Sequence, residues 1–595
     1  MAQLWAHLSP RRRRQFKLVF ALAGVSAFAE IASLGAIIPF IVALTQPERL
    51  FRWPIAAKIL SASGISTPQQ LLLPLTVCFV VVVMVANSVR MLLLWSSARV
   101  TFASGADLSS EVYRRTLYQP YSVHVARNSS EVISGITSKV GGTVLGIMFP
   151  AMTLISAGVS LLATLATLLA INPGLALGAG FGFAVCYAAI TFRSRRRLRR
   201  NSRRIAQEHD IVVKALQEGL GGIRDVLLDG SQPVYCEVYR RAEQSLRRAQ
   251  GENAFIAQSP RYSMEALGVI LIAALAYYLS RQMSGVTAAL PVLGALALGA
   301  QRLLPAMQQV YGAWASIAGS HALLEDTLKL LEQPIDPEAS GPAPAPLPFE
   351  REIRLESVCF RYTPHGPWVI DQLSLVIRKG ARIGLVGGTG SGKSTTLDLI
   401  MGLLSPQSGG ISIDGEPLEG SHVRAWQARI AHVPQFIFLA DTTLEENIAF
   451  GVRAENIDQA RVRQAAKSAQ ILEFIDSMPE GFKATVGERG VRLSGGQRQR
   501  IGIARALYKG ASVLIFDEAT SALDNSTERS VMDAIEGLSR QLTIIMIAHR
   551  LSTIQSCDTI IELESGRLRA QGSYAELLIG SESFKRMASA GKMSN

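Results

Sequence analysis

Apolar and polar positions divide the chain into two halves of different character. Over roughly the first 330 residues six long apolar runs recur, at about 16–45, 70–96, 143–171, 174–192, 262–280 and 286–310. Each is long enough for an α-helix, rising ~1.5 Å per residue, to cross ~30 Å of hydrocarbon, so six spanning helices are predicted. Asn172-Pro173-Gly174 between the third and fourth runs predicts a tight turn. The segment 46–69, with Trp53 beside Arg52, is expected on the outer side and to include a short interfacial helix. The polar segments 97–140 and 193–258 are helix-compatible, which predicts spanning helices that continue well beyond the membrane. "PIDPEASGPAPAPLPFE" then reads as a Pro/Ala-rich linker in which no helix is expected, and a soluble-type pattern begins near 351.

Composition agrees with this division: 48% of residues are hydrophobic and the mean hydropathy is +0.24. The net charge of +13 is local, concentrated in Arg11 to Arg14 and in eight arginines between Arg193 and Arg204, both flanking apolar runs. The positive-inside rule accounts for them as cytoplasmic charge, so no nucleic-acid partner is expected. The prediction is a multi-pass protein of the inner (plasma) membrane, with its N-terminus and C-terminal half cytoplasmic. The apolar run after Arg14 exceeds a signal-peptide core, so it is read as an uncleaved first helix. Cys78, Cys186, Cys236, Cys359 and Cys557 show no paired spacing, and neither a disulfide framework nor a zinc site is implied.

The second half carries the chemistry. Gly387, Gly388, Thr389, Gly390, Ser391, Gly392, Lys393, Ser394 and Thr395 follow an apolar strand and open a helix-forming run, which is the phosphate-loop pattern. Its glycines let backbone N–H groups close around phosphate oxygens at a helix N-terminus. Lys393 would neutralise the β- and γ-phosphates and the Ser394 hydroxyl would ligate Mg²⁺. "SVLIFDEATSALD" supplies a second apolar strand ending in two acids: Asp517, suited to hold Mg²⁺, and Glu518, suited to accept a proton from the attacking water.

Directly before that strand, Leu493, Ser494, Gly495, Gly496 and Gln497 match the signature of ATP-binding cassette proteins, and the other cassette motifs follow in family order. The resemblance covers about 240 residues. It implies that Tyr362 stacks on adenine, that Gln435 links nucleotide and metal to the membrane domain, that Ser521 to Asp524 form the D-loop, and that His549 contacts the γ-phosphate. "VGERG" at 486–490 resembles the X-loop of exporters. In that family the signature of one cassette caps ATP on another, so a second copy is implied and a homodimer is the simplest reading. The implied fold is a six-helix all-α transmembrane domain of type I exporter form at 1–331, a linker at 332–350, and an α/β P-loop nucleotide-binding domain at 351–595. The segments 118–131 and 216–230 occupy the places of the coupling helices.

Charges inside the apolar runs bear on cargo. Arg90, Arg261 and Arg302 all fall toward the cytoplasmic half of their helices, and doubling would make an arginine belt suited to a phosphate-bearing headgroup. Two bland readings stand beside it: Arg90 and Arg261 snorkel to the interface, and Arg261 pairs with Glu265 four residues on. Glu30, midway along the first run near Gly35 and Pro39, is either part of the cavity or a packed polar contact at a kink. "SPRYSMEALG", "RLLPA" and "HRLSTIQSCDTIIELESG" resemble the bacterial flippases of lipid-linked oligosaccharides, which implies a polyprenyl-pyrophosphate sugar as cargo. A general lipid, drug or peptide exporter is the alternative with the same ATP-driven machinery, and an ATP-gated channel or regulator is the alternative of another class.

Overall fold

The computed structural model describes residues 1–45, 68–171, 173–282, 286–342, 344–518, 532, 535–537, 541–547 and 551–593. They form two compact units, Met1–Gln119 with Arg127–Pro334, and Pro120–Ala126 with Ile335–Asn595.

The first unit is helical. After a short helix, Ala2–His7, come α1 (Pro10–Thr45) and α2 (Pro68–Leu117). The helix α3 (Tyr121–Ala126) belongs to the second unit. The chain returns through short helical pieces to α4 (Phe149–Ile171), α5 (Pro173–Gly221), α6 (Ile223–Leu228), α7 (Gln232–Gln282), α8 (Val286–Gly319) and α9 (His321–Leu331). The six apolar runs fall on α1, α2, α4, α5, α7 and α8. Pro10–Ser33, Leu72–Leu117 and Ser129–Leu169 are long and apolar enough to span a membrane by length and composition. α5 has 49 residues and α7 has 51. At ~1.5 Å per residue each runs ~75 Å, far more than the ~30 Å of hydrocarbon, so both continue into water. The interfacial stretch 46–67 and the turn residue Asn172 lie outside the described residues.

Small residues allow these helices to approach closely. A Cβ on Gly105 of α2 would lie 2.6 Å from Val144 Cγ2, a contact only glycine permits. One core gathers Phe16, Val19, Leu93, Leu108, Val112 and Ile147, and another gathers Phe183, Tyr187, Leu198, Met264 and Tyr311. Before α4 the helix widens twice into π turns, Gly135–Lys139 and Val144–Met148. The first directs Lys139 inward, where its buried ammonium donates to Asp210 of α5 at 2.8 Å and to Asp326 of α9 at 2.9 Å. Thr143 and Thr327 add a buried hydroxyl pair at 2.9 Å.

The second unit is α/β. A four-stranded antiparallel sheet has the order β2-β1-β4-β5, with β1 Glu352–Phe360, β2 Ile370–Arg378, β4 Ser408–Ile413 and β5 Glu416–Pro417. A six-stranded sheet has the order β10-β9-β3-β8-β7-β6. It contains β3 (Arg382–Val386), β6 (Ile430–Val433), β7 (Val513–Asp517), β8 (Thr543–Ile547), β9 (Thr559–Glu564) and β10 (Arg567–Gly572). All its pairings are parallel except that of β10 with β9. Both β3 and β8 are buried along their whole length, as parallel strands covered on both faces must be. Ile547 of β8 is in register with Leu385 of β3 on one side and Asp517 of β7 on the other. Two ~4.8 Å strand spacings therefore separate the ends of β3 and β7, at one level and one edge of the sheet. The Pro/Ala-rich stretch does carry one helical turn, Pro337–Ser340, contrary to expectation. Pro337 takes an opening position where no N–H is required, and the Asp336 side chain caps the turn by accepting from Glu338 N.

Candidate functional site

At that sheet edge β3 ends in the glycine loop, which passes into α10 (Lys393–Ile400). Gly387 has φ +149, and a Cβ there would lie 2.2 Å from Leu563 O and 2.7 Å from Ser391 Oγ. No other residue fits, because the loop must turn back against β9. Gly388 and Gly390 face open space on the other side. Lys393 Nζ lies over the loop, donating to Gly387 O at 2.9 Å and Gly388 O at 3.0 Å. The Ser391 hydroxyl is buried within the loop and has no hydrogen-bond partner among the described residues. A buried donor of this kind fits a ligand that brings acceptor oxygens, such as phosphate.

Across β8, Asp517 closes β7 and Glu518 follows with φ +49, an uncommon conformation for a side chain of its size. Gln435 Nε2 donates to Glu518 Oε2 at 3.0 Å. Burial, then the neighbouring Glu518, pushes the Asp517 carboxyl above its ordinary range. Burial lowers Lys393, against the opposing pull of Glu518 and Asp517. The four groups thus share one electrostatic environment. The Ser394 hydroxyl, the Asp517 carboxylate and the Gln435 amide offer the hard oxygen donors that Mg²⁺ prefers, and the crowded acids are what a divalent cation would relieve. Tyr362 is half exposed, its hydroxyl 3.1 Å from Thr395 Oγ1 and its ring edge-on to Phe360 at 5.1 Å. One face is therefore left to water beside the loop.

Two residues at this site escaped the sequence reading. Asp398, one helical turn past Ser394, is pushed up to about 6 by burial and then by Asp517. Its i+4 relation to Ser394 was the available signal. Tyr121 of α3 is raised by burial and then by Asp398, Tyr362 and Asp517, so it lies near the same groups. The sequence singles out only the segment around it, 118–131.

The signature residues stand at the start of α11 (Gly495–Lys509). Ser494 Oγ accepts from Gln497 N at 3.2 Å, and Gln497 Oε1 accepts from Ser494 N at 2.8 Å. This capping box leaves Gly495 and Gly496 at a helix N-terminus, whose partial positive charge suits an anion. Among the described residues no bond joins Ser494, Gly495, Gly496 or Gln497 to the phosphate loop of the same chain. Asp524 and His549 lie outside the described residues, as does the side chain of Arg302.

In the membrane unit the intramembrane charges separate. Arg90 donates to Glu30, which is 4% exposed and also accepts from Ser160 of α4. Glu30 is thus a packed polar contact holding α1, α2 and α4 together. Arg261 donates to Glu265 at 2.8 Å on its own helix. Both line a cavity of about 660 Å³ among α5, α7 and α8. Seven of the eight arginines between Arg193 and Arg204, all but Arg195, line a wider cleft of about 1250 Å³ with Glu252 and Phe255.

Comparison with known proteins agrees with this geometry. Residues 370–521 match the family described as ABC transporter, and residues 18–288 that described as ABC transporter transmembrane region. An ATP-dependent lipid A-core flippase of Alkalilimnicola ehrlichii is 35% identical over 403 residues, 67% of each chain. The protein of that name from Ralstonia nicotianae is 32% identical over 79% of each chain. The heterocyst differentiation ATP-binding protein HepA of Nostoc is 40% identical over 47% of this chain and 45% of its own. A solved bacterial Atm1-family ABC exporter with ATP bound aligns over 94% of this chain and 97% of its own, with a TM-score of 0.74 and 25% identity. The chain therefore belongs to the ATP-binding cassette transporter family, a membrane-spanning protein whose nucleotide domain is an ATPase coupled to transport.

Proposed function

We propose that the protein is a homodimeric, ATP-driven flippase that moves a lipid-linked glycan, of the polyprenyl-pyrophosphate class or a related glycolipid, from the cytoplasmic to the outer side of the inner membrane. The observation that carries the hydrolytic part is the convergence of Lys393, Asp517, Glu518 and Gln435 on one sheet edge around the unpartnered Ser391 hydroxyl. Backbone N–H groups from Gly387 to Thr395 and the Lys393 ammonium bind the phosphates, and Tyr362 stacks on the adenine. Glu518, oriented by Gln435, takes the proton of the attacking water. Ser394, Asp517 and Gln435 would hold Mg²⁺, which would offset the negative charge on the phosphates. Ser494, Gly495, Gly496 and Gln497 of a second copy close the site at a helix N-terminus. Asp524 and His549 complete it in the roles the family resemblance implies.

The cargo assignment is supported by the names of two relatives as lipid A-core flippases, and by amide, aromatic and charged side chains lining the α5–α7–α8 cavity. The arginines of the wider cleft support a cytoplasmic orientation for that end of α5. In lipid vesicles, Glu518→Gln is expected to retain ATP binding and lose hydrolysis by about 100-fold or more, the scale of a positioned general base. Unchanged turnover overturns the assignment of that base. Flipping of a fluorescent polyprenyl-pyrophosphate sugar tests the cargo. Stimulation by hydrophobic drugs alone favours a general exporter, and an ATP-dependent ion current favours a channel.

A further inference from the structure

The arginine-lined cleft between α5 and α7 sets seven guanidinium groups against one carboxylate. That carboxylate, Glu252, already accepts from Asn201 Nδ2 at 3.0 Å. Arg204 donates to Ser245 Oγ at 2.7 Å and lies 4.0 Å from Glu208. Among the described residues, Arg193, Arg196, Arg197, Arg199, Arg200 and Arg203 make no hydrogen bond or ion pair within the chain. Arg193, Arg196, Arg200 and Arg203 recur at steps of three and four residues, which puts them on one face of α5. The positive-inside rule asks for basic residues at a membrane end and is indifferent to the face they take. It does not account for unpaired cations gathered in one cleft.

Depth separates these arginines. The apolar run of α5 ends at Phe192. Arg193, Arg196 and Arg197 follow within ~8 Å of helix rise, the thickness of the ~5–8 Å headgroup layer, whereas Arg203 lies ~16 Å on. On α7, Glu252 and Asn253 accept from Asn201 at 3.0 and 3.1 Å, which fixes the pairing of two helices running in opposite directions. Phe255 and Ile256, further along α7 toward its apolar run, therefore stand about level with Arg197. Phe255 is 72% exposed, and Phe192, beside Arg193, is 86% exposed. Exposed aromatic surface adds nothing to the binding of a soluble polyanion, but it suits a ligand with a charged head and acyl chains.

We propose that the membrane-proximal part of this cleft, formed by Arg193, Arg196, Arg197 and Phe255, binds an anionic phospholipid of the adjoining leaflet that carries two phosphates, a lipid of the cardiolipin class. Guanidinium groups take phosphate oxygens in bidentate pairs, and basic pockets between membrane helices at this depth suit such headgroups. Three uncompensated cations match two phosphates better than one. The acyl chains lie along the apolar run below Arg193, and the bound lipid ties the water-exposed extensions of α5 and α7 to the bilayer surface. The inference is independent of the cargo.

Native mass spectrometry of the full-length, detergent-purified protein titrated with tetraoleoyl cardiolipin tests it. The first cardiolipin is expected to bind about tenfold or more tighter than dioleoyl phosphatidylglycerol, the scale of one further charge-assisted contact. Arg196→Gln is expected to weaken it about fivefold, the scale of one basic residue at an anionic surface. Arg196→Lys, which keeps the charge and loses the fork, should recover part of that loss. Arg195→Gln, at the same level but off the cleft, and Arg203→Gln, in the cleft but beyond the headgroup layer, are expected to change it less than twofold. Arg195, Arg196 and Arg203 are all exposed, so replacing them removes no packing. Equal weakening by Arg195→Gln and Arg196→Gln overturns the proposal in favour of diffuse surface charge, and equal affinity for the two phospholipids overturns it outright. Displacement of bound cardiolipin by equimolar polyprenyl pyrophosphate refutes it in favour of a cargo site, and displacement by inorganic pyrophosphate in favour of a soluble polyphosphate.

Discussion

Replacing Lys139 by methionine isolates the energetic role of the buried ionic cluster in the membrane unit. Its ammonium is the counter-charge of both Asp210, at 2.8 Å, and Asp326, at 2.9 Å, and its side chain is 8% exposed. Methionine preserves most of the volume, so the loss is electrostatic. Removing one member of a buried ionic cluster costs about 3–5 kcal/mol, because the remaining charges stay buried without a partner. Here the two carboxylates are 29% and 28% exposed, so water screens them partly and the lower end, about 3 kcal/mol, is expected. Asp210 Oδ1 has no partner of its own, so that carboxylate depends on Lys139 through Oδ2. At about 2–4 °C per kcal/mol for a unit of this size, the unfolding midpoint of the detergent-purified protein should fall by roughly 6–12 °C. Asp326 keeps Lys329 at 3.2 Å, so Asp210 is the carboxylate left without a cation; adding Asp210→Asn and Asp326→Asn to Lys139→Met removes the uncompensated charge and should restore most of the loss. A single-variant shift under about 2 °C, or a triple variant no more stable than the single, refutes the reasoning.

Other substitutions read other parts of the molecule. Glu30 is 4% exposed and Arg90 40%, so Arg90→Met, which orphans the buried partner, should destabilise more than Glu30→Gln, which leaves a long cationic side chain able to snorkel to the interface; thermal melts in the reverse order contradict the packed-pair assignment. His209 is held below its ordinary range by burial, against the pull of Asp210. The unfolded imidazole therefore gains a proton below about 6.5 that the folded one resists. Stability should fall as pH drops from 7 toward 5.5, and His209→Gln should flatten that slope in pH-dependent melts; parallel slopes exclude the residue. Gly387→Ala should weaken fluorescent-nucleotide binding about tenfold or more, since displacing a phosphate cradle by even ~1 Å is costly; unaltered binding would show that the loop tolerates a Cβ.

Contiguous chemistry was legible from residues alone. The phosphate loop, the acids ending β7 and the signature capping box each lie within one short segment, where local geometry follows from residue type. The six apolar runs were legible because hydrocarbon imposes length. Contacts between distant segments were not. Nothing local tells that Glu30 meets Arg90 and Ser160, or that Lys139 meets Asp210 and Asp326. Each joins charges on separate helices whose facing depends on packing and, for Lys139, on a π turn that rotates the following residues. The single turn at Pro337–Ser340 is not legible locally because proline reads as a breaker where it serves as an opener.

The grouping of Pro120–Ala126 with Ile335–Asn595 has a consequence for synthesis. During translation α3 leaves the ribosome while α4 to α9 have yet to be made, and it waits in water until the last strands of the cassette exist. Val123 and Val125, both exposed even in the finished fold, are open throughout that interval to wrong partners or to chaperones. A cassette expressed alone from Ile335 lacks this early-made piece. Supplying 118–131 in trans as a peptide should then raise the yield of soluble cassette.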